Sequence, residues 1–191
     1  MSLFGQGNFV DNFIRFDGSK FEDLTVEEIK KATKALWKVG VTSYFPTIIT
    51  SDFSRMKKNF TILSKAKEDP EIGGSLAGFH LEGPYISPVD GFRGAHLEKY
   101  TRKPNWQEFL ILQKAAKNNI RLITVAPELD GAIQFIKKLV DSGVIVSLGH
   151  HNGSVSQIKD AVTAGARMAT HLGNGCANII NRHNNPIWPQ L

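Results

Sequence analysis

The sequence predicts an α/β protein built as part of a (β/α)8 barrel, and three observations lead there. From Thr25 to His171, apolar runs of strand length alternate with stretches of helical period. The strand runs are near-continuously apolar, as expected of a parallel sheet covered by helices. No Gly-rich turn of the phosphate-binding kind follows any of them, which argues against a dinucleotide-binding fold. About five strand–helix steps are present, whereas a closed barrel needs eight over ~250 residues. The 191 residues therefore read as one partial barrel domain spanning 1–191.

Residues 4–24 are irregular, with glycines, asparagines and short apolar pieces. Thr25 opens a helix, and Glu28, three residues on, completes a capping box. Ile29, Ala32, Leu36 and Val39 keep helical spacing, and Gly40 stops the helix. Thr42–Ile49 is β-branched and aromatic, hence a strand. Ser51-Asp52 caps a second helix to about Lys67, and a strand is expected over Ser75–Leu81. A long loop with several glycines and prolines follows, then a helix from Trp106 to about Asn118. Arg121–Val125 is a strand ending at Ala126-Pro127-Glu128, and Gly131–Ser142 is a helix stopped by Gly143. Val144–Leu148 is a strand ending at Gly149-His150-His151, and a serine-capped helix runs from Ser154 to about Ala164. A short strand, Arg167–Thr170, ends at His171. Beyond Leu172 the chain is polar, with no clear period.

Composition narrows the function classes. Hydrophobic residues make up 41% and charged residues 21%, ordinary for a globular protein. The net charge of +5 is scattered over Lys30-Lys31, Lys57-Lys58 and Lys137-Lys138 on helix faces, without the aromatic interleaving of a nucleic-acid surface. The single cysteine, Cys176, allows no disulfide framework and no cysteine zinc site, which fits a reducing compartment such as the cytoplasm. No signal peptide and no bilayer-spanning run is visible, so neither a membrane nor a nucleic acid is an expected partner.

The chemistry centres on Gly78-Phe79-His80-Leu81-Glu82-Gly83-Pro84-Tyr85. On a strand, His80 and Glu82 point to one face, and Gly83-Pro84 stops the strand just past the carboxylate. A carboxylate ending a buried strand needs a charge or a metal to meet it. A helix cap or an arginine partner would answer as well. Glu82, His150 and His171 each sit just beyond a different strand, and the strand ends of a barrel meet at the face where active sites are built. Two imidazoles and a carboxylate with an open position form a catalytic zinc set, which lowers the pKa of a bound water to ~7. His80 reads as a packed histidine or one that orients the ligand, with direct ligation the alternative. His151 is expected at the surface. Glu128 faces either the site or a helix start. Cys176 is small filler, and the tryptophans are packing residues.

Together with Gly94-Ala95-His96, Ser147-Leu148-Gly149-His150 and Ala169-Thr170-His171-Leu172, the Gly78–Tyr85 block resembles the N-acetylglucosamine-6-phosphate deacetylase family of the metal-dependent amidohydrolases. The likeness runs from about Thr25 to the end, in matching order. It implies one divalent metal on Glu82, His150 and His171, zinc first, with iron or manganese as alternatives. It implies that His96 reaches the sugar, that Asn174 and Gly175 approach the sugar phosphate, and that Arg182 forks its oxygens. It implies removal of acetyl from an N-acetylated amino sugar, N-acetylglucosamine 6-phosphate being the expected one, with metal-held hydroxide attacking the acetamide carbonyl. A homodimer is a further expectation. Gly173-Asn174-Gly175-Cys176 departs from the family's Phe-Asn-Ala-Met, and the tail Arg182–Trp188 suits a less characterised branch. The family's first-strand His-x-His would precede residue 1, and its catalytic aspartate would lie beyond Leu191, so the chain reads as truncated at both ends. The alternatives are a non-catalytic fragment and a sugar-phosphate binding barrel without turnover.

Overall fold

The computed structural model describes residues 24–191. The irregular stretch expected over 4–24 lies, but for Leu24, outside them. The elements follow the expected order: α1 Val26–Lys38, β1 Thr47–Ile49, α2 Phe53–Lys67, β2 Phe79–Glu82, α3 Trp106–Ala115, β3 Ile120–Val125, α4 Ala132–Asp141, β4 Ile145–Leu148, α5 Val155–Thr163 and β5 Met168–Ala169. The strands take the order β1-β2-β3-β4-β5, so each neighbours the next in sequence, as in a β/α barrel. β3 pairs with β4, and β4 with β5, in parallel.

The described residues gather into two compact units. One holds the residues up to Ile48, with Asp52–His80 and Gln107–Ile120; the other holds Ile49–Ser51, Leu81–Trp106 and Arg121–Leu191. In the first, Thr25 caps α1 with the predicted box: its hydroxyl accepts from Glu28 N, and the Glu28 carboxylate accepts from Thr25 N. α1 packs on α2, and buried Met56, Phe60 and Leu63 of α2 carry the core, with Phe60 stacked 6.1 Å from Phe79. His80 is buried there, its Nδ1 3.2 Å from Thr47 Oγ1. In the second, Ile123, Val125 and Val146 are fully buried, and Phe135 of α4 meets Tyr85 edge-on at 4.9 Å.

Several boundaries differ from expectation. The strand expected over 42–49 shrinks to Thr47–Ile49, because Pro46 has no N–H to give a ladder; Tyr44 keeps only an isolated bridge to Leu76. The strand expected over 75–81 starts at Phe79 and reaches Glu82, since Gly73–Ser75 forms a tight 3-10 turn. α3 stops at Ala115 because Lys117 and Asn118 take left-handed backbone, with φ of 49° and 61°.

Candidate metal centre

Glu82 is the last residue of β2. His150 and His171 stand at matched places: Leu148 and Ala169 are register partners, and each histidine follows its partner residue by two. Both leave their strands in left-handed backbone, with φ of 51° and 53°. Histidine is among the few residue types that visit this region. Hydrogen bonds hold both conformations: Ser87 N donates to His150 O at 2.9 Å, and Gly175 N donates to His171 O at 2.6 Å. Gly149 lets the two strand ends close up, since a Cβ there would stand 2.7 Å from Thr170 Cβ. Below them a run of hydroxyls ties three strands, with Thr170 Oγ1 2.6 Å from Ser147 Oγ and 2.9 Å from Thr124 Oγ1.

The result is a buried cluster. Glu82 Oε1 lies 2.7 Å from His150 Nε2 and 3.0 Å from His171 Nε2, and the Glu82 side chain is only 3% exposed. Donor atoms on one tetrahedral ion, at bond lengths of ~2.0–2.1 Å, stand roughly 3.3 Å apart. The two distances from Glu82 Oε1, 2.7 and 3.0 Å, are near that spacing, the three donors lie within 4.8 Å of one another, and all come from residue types that bind small divalent ions. A carboxylate this deeply buried also calls for positive charge beside it. The residues therefore fit a metal.

His96, expected on the sugar, lies inside the cluster: Nε2 is 3.3 Å from His150 Nε2 and 3.6 Å from Glu82 Oε1, and the ring is buried. Its Nδ1 is 2.9 Å from Thr50 Oγ1, and Thr50 Oγ1 donates to Glu82 O at 3.3 Å. Thr50 was missed in the sequence, although it ends the apolar run Thr47-Ile48-Ile49 and so occupies a strand-end place of its own. Asn174 and Arg182 are exposed, and Gly175 is half-buried against His171, where an added Cβ would come within 3.0 Å of the His171 Cβ. A small cleft beside the cluster is lined by His150, His151, His171, Gly175, Cys176 and Ile187, among others. His151 corrects the surface expectation: it is buried, its Nδ1 accepts from Gly153 N at 3.2 Å, and burial holds its pKa down to about 4 against a weaker pull from Gln190. Glu128 accepts from Asn152 N at 2.7 Å, two residues past His150. Its other oxygen is buried without a hydrogen bond, and burial pushes its carboxyl pKa up. Trp188 also departs from expectation, being 60% exposed.

No protein-family model matches the chain. Among curated proteins it is 36% identical over 159 residues to an N-acetylglucosamine-6-phosphate deacetylase of Caenorhabditis elegans, which covers 82% of this chain and 37% of that protein. It is 35% identical over 158 residues to an N-acetylgalactosamine-6-phosphate deacetylase of Shewanella sp. (strain ANA-3), over 83% of this chain and 39% of that one. Among solved structures, a mutant N-acetyl-D-glucosamine-6-phosphate deacetylase from Mycobacterium smegmatis, in complex with N-acetyl-D-glucosamine-6-phosphate, superposes with a TM-score of 0.77 at 29% identity, covering 85% of this chain and 41% of that one. The chain thus spans about two fifths of the length of these relatives. Over that span, the chain matches the N-acetylglucosamine-6-phosphate deacetylase family in sequence and in α/β fold.

Proposed function

We propose that the protein carrying this chain is a metal-dependent deacetylase of an N-acetylated amino sugar 6-phosphate, N-acetylglucosamine 6-phosphate first, and that this chain is its partial barrel domain with the ion-holding residues. The observation that carries the reading is the convergence of His150 and His171 within 3.0 Å of one Glu82 carboxylate oxygen. These residues would hold one divalent ion, zinc by the nature of its imidazole and carboxylate ligands, with iron or manganese next. Such an ion supplies Lewis-acid polarisation of a carbonyl and a water that ionises near neutral pH. The chain's own residues do the rest of the local work. His96 faces the substrate from inside the cluster, and the cleft beside His171 takes the acetamide. Asn174 and Gly175 line the sugar phosphate, and the planar fork of Arg182 takes its oxygens. His80 stays a support of the β2 strand.

The relatives' names divide between glucosamine and galactosamine substrates, so the assay compares both 6-phosphates. A cytoplasmic homodimer completes the proposal; no helix among the described residues is long and apolar enough to cross a membrane. Elemental analysis of protein purified without added metal should give about one ion per chain. Glu82→Gln and His150→Ala should each empty the site and abolish acetate release. Unchanged metal content in both variants would sink the reading. Sugar-phosphate binding without product in the wild type would favour the alternative, a barrel that binds and does not turn over.

A further inference from the structure

The tail over 181–190 is tied to itself around one side chain. Asn185 is only 8% exposed, and its amide is fully used. Its Oδ1 accepts from Ile187 N at 2.9 Å and from Trp188 N at 3.4 Å, while its Nδ2 donates to Asn181 O at 2.8 Å and to Arg182 O at 3.1 Å. A backbone N–H only donates and a carbonyl oxygen only accepts, so the partners alone fix which way the amide lies. Trp188 Nε1 donates to Arg182 O at 2.8 Å, and Gln190 Nε2 donates to Pro186 O at 2.6 Å. Pro186 is buried, and its ring fixes its φ. The tail is thereby held as a shaped wall, and Pro186, Ile187 and Gln190 of that wall line the same cleft as His150 and His171.

The polar groups of the cleft are turned to one another. Gln190 is engaged with Pro186 O and with His151, and Cys176 Sγ donates to Gly173 O at 2.9 Å. The apolar side chains there are Leu172, Cys176, Pro186 and Ile187. Such a lining suits a short hydrocarbon group, and a wall pinned through its own backbone yields little when that group lengthens. We infer that Ile187 is a specificity-determining residue that limits the acyl chain of the substrate to acetyl. This deepens the deacetylase reading and rests on it for the amide substrate, whose acyl chain runs into the cleft. Hydrolysis breaks the amide C–N bond, adds the oxygen of water to the carbonyl carbon and a proton to the nitrogen, and releases a carboxylic acid and the free amine. Chain length beyond the carbonyl changes none of these steps, so the discrimination is steric.

The test uses the full-length protein as purified and the N-acetyl, N-propionyl and N-butyryl forms of glucosamine 6-phosphate, with release of the free amine as the readout. In the wild type each added methylene should cost about tenfold or more in kcat/KM. Ile187→Ala should raise the butyryl-to-acetyl ratio of kcat/KM by at least about tenfold, and Ile187→Val should raise it less. A variant that only loosens the fold lowers both substrates alike and leaves the ratio unmoved. A wild type that takes butyryl as readily as acetyl overturns the inference, as does an Ile187→Ala ratio equal to that of the wild type. Should Ile187→Ala fail to fold, Ile187→Val and the wild-type series decide. Acetate release with an unmoved ratio strikes this inference and leaves the deacetylase reading standing. If no amine forms from any of the three, that reading fails, and calorimetric Kd values of the same three compounds decide the inference by the same ratio; binding of none overturns both.

Discussion

At the scale of single residues, the cluster depends on glycines as much as on its histidines and carboxylate. Gly94 has φ of 61°, and an added Cβ would stand 3.1 Å from both Cε1 and Nδ1 of His150. That Nδ1 is buried with no hydrogen-bond partner, so the ring is held by packing on this side rather than by the usual second partner. Gly94→Ala should therefore tilt the imidazole as well as strain the backbone, the latter by about 1–2 kcal/mol. We expect metal affinity to fall roughly tenfold or more, measured by zinc competition with a chelating dye. Gly143 makes the control: its φ is 83°, and nothing lies within 4 Å of an added Cβ. Gly143→Ala should lower the thermal midpoint and leave zinc affinity as in the wild type. Equal affinity losses in both would mean that Gly94 acts through general stability.

At the scale of elements, the helix starts were readable because capping is local. Thr25 with Glu28 and Ser154 with Gln157 each sit three residues apart and form boxes, and Asp52 caps α2 by accepting from Ser54 N at 2.9 Å. Strand limits were less readable, because a strand's extent is set by a partner far away in sequence and by single residues such as Pro46 that have no N–H to offer. The loop from β4 to α5 shows the same dependence. Its path past His150 is held by Glu128 from the end of β3, whose carboxylate accepts from Asn152 N. Glu128→Ala should release that loop and weaken zinc binding several-fold, while Glu128→Gln keeps an oxygen for Asn152 N and should stay near the wild type. Zinc titration of both variants checks this; similar weakening in both would show that the negative charge, rather than the hydrogen bond, matters.

At the scale of the whole molecule, acid should act through His151. Its folded pKa of about 4 lies below the ordinary 6.5, because burial disfavours the charged ring. The unfolded chain binds the extra proton first, so stability is fully present above about pH 6.5 and is lost as pH falls toward 4. The metal-free protein should lose thermal midpoint steadily across that window, and His151→Gln should flatten the loss; parallel acid limbs for the two proteins would contradict it. The fold and the meeting of Glu82, His150 and His171 were legible because strand-end positions repeat along the chain and need only local pattern to find. The hydroxyl of Thr50 was not, because its role exists only where it meets His96, 46 residues away. Neither residue's own neighbourhood announces the pair. The burial of His151 was hidden for a similar reason: its environment includes Gln190, from the far end of the chain.

The left-handed backbone at His150 and His171 limits how the ion preference of the proposed metal centre could be retuned. Exchanging a ligand changes two things at once, the donor atom and the residue that must tolerate φ near 50°. Asparagine and aspartate tolerate it, and aspartate offers oxygen, so drift at either place runs toward harder ions such as manganese or magnesium. Cysteine would suit zinc chemically but gains nothing from that backbone, and β-branched residues are shut out by sterics. The centre can thus move toward oxygen ligands more readily than toward sulfur.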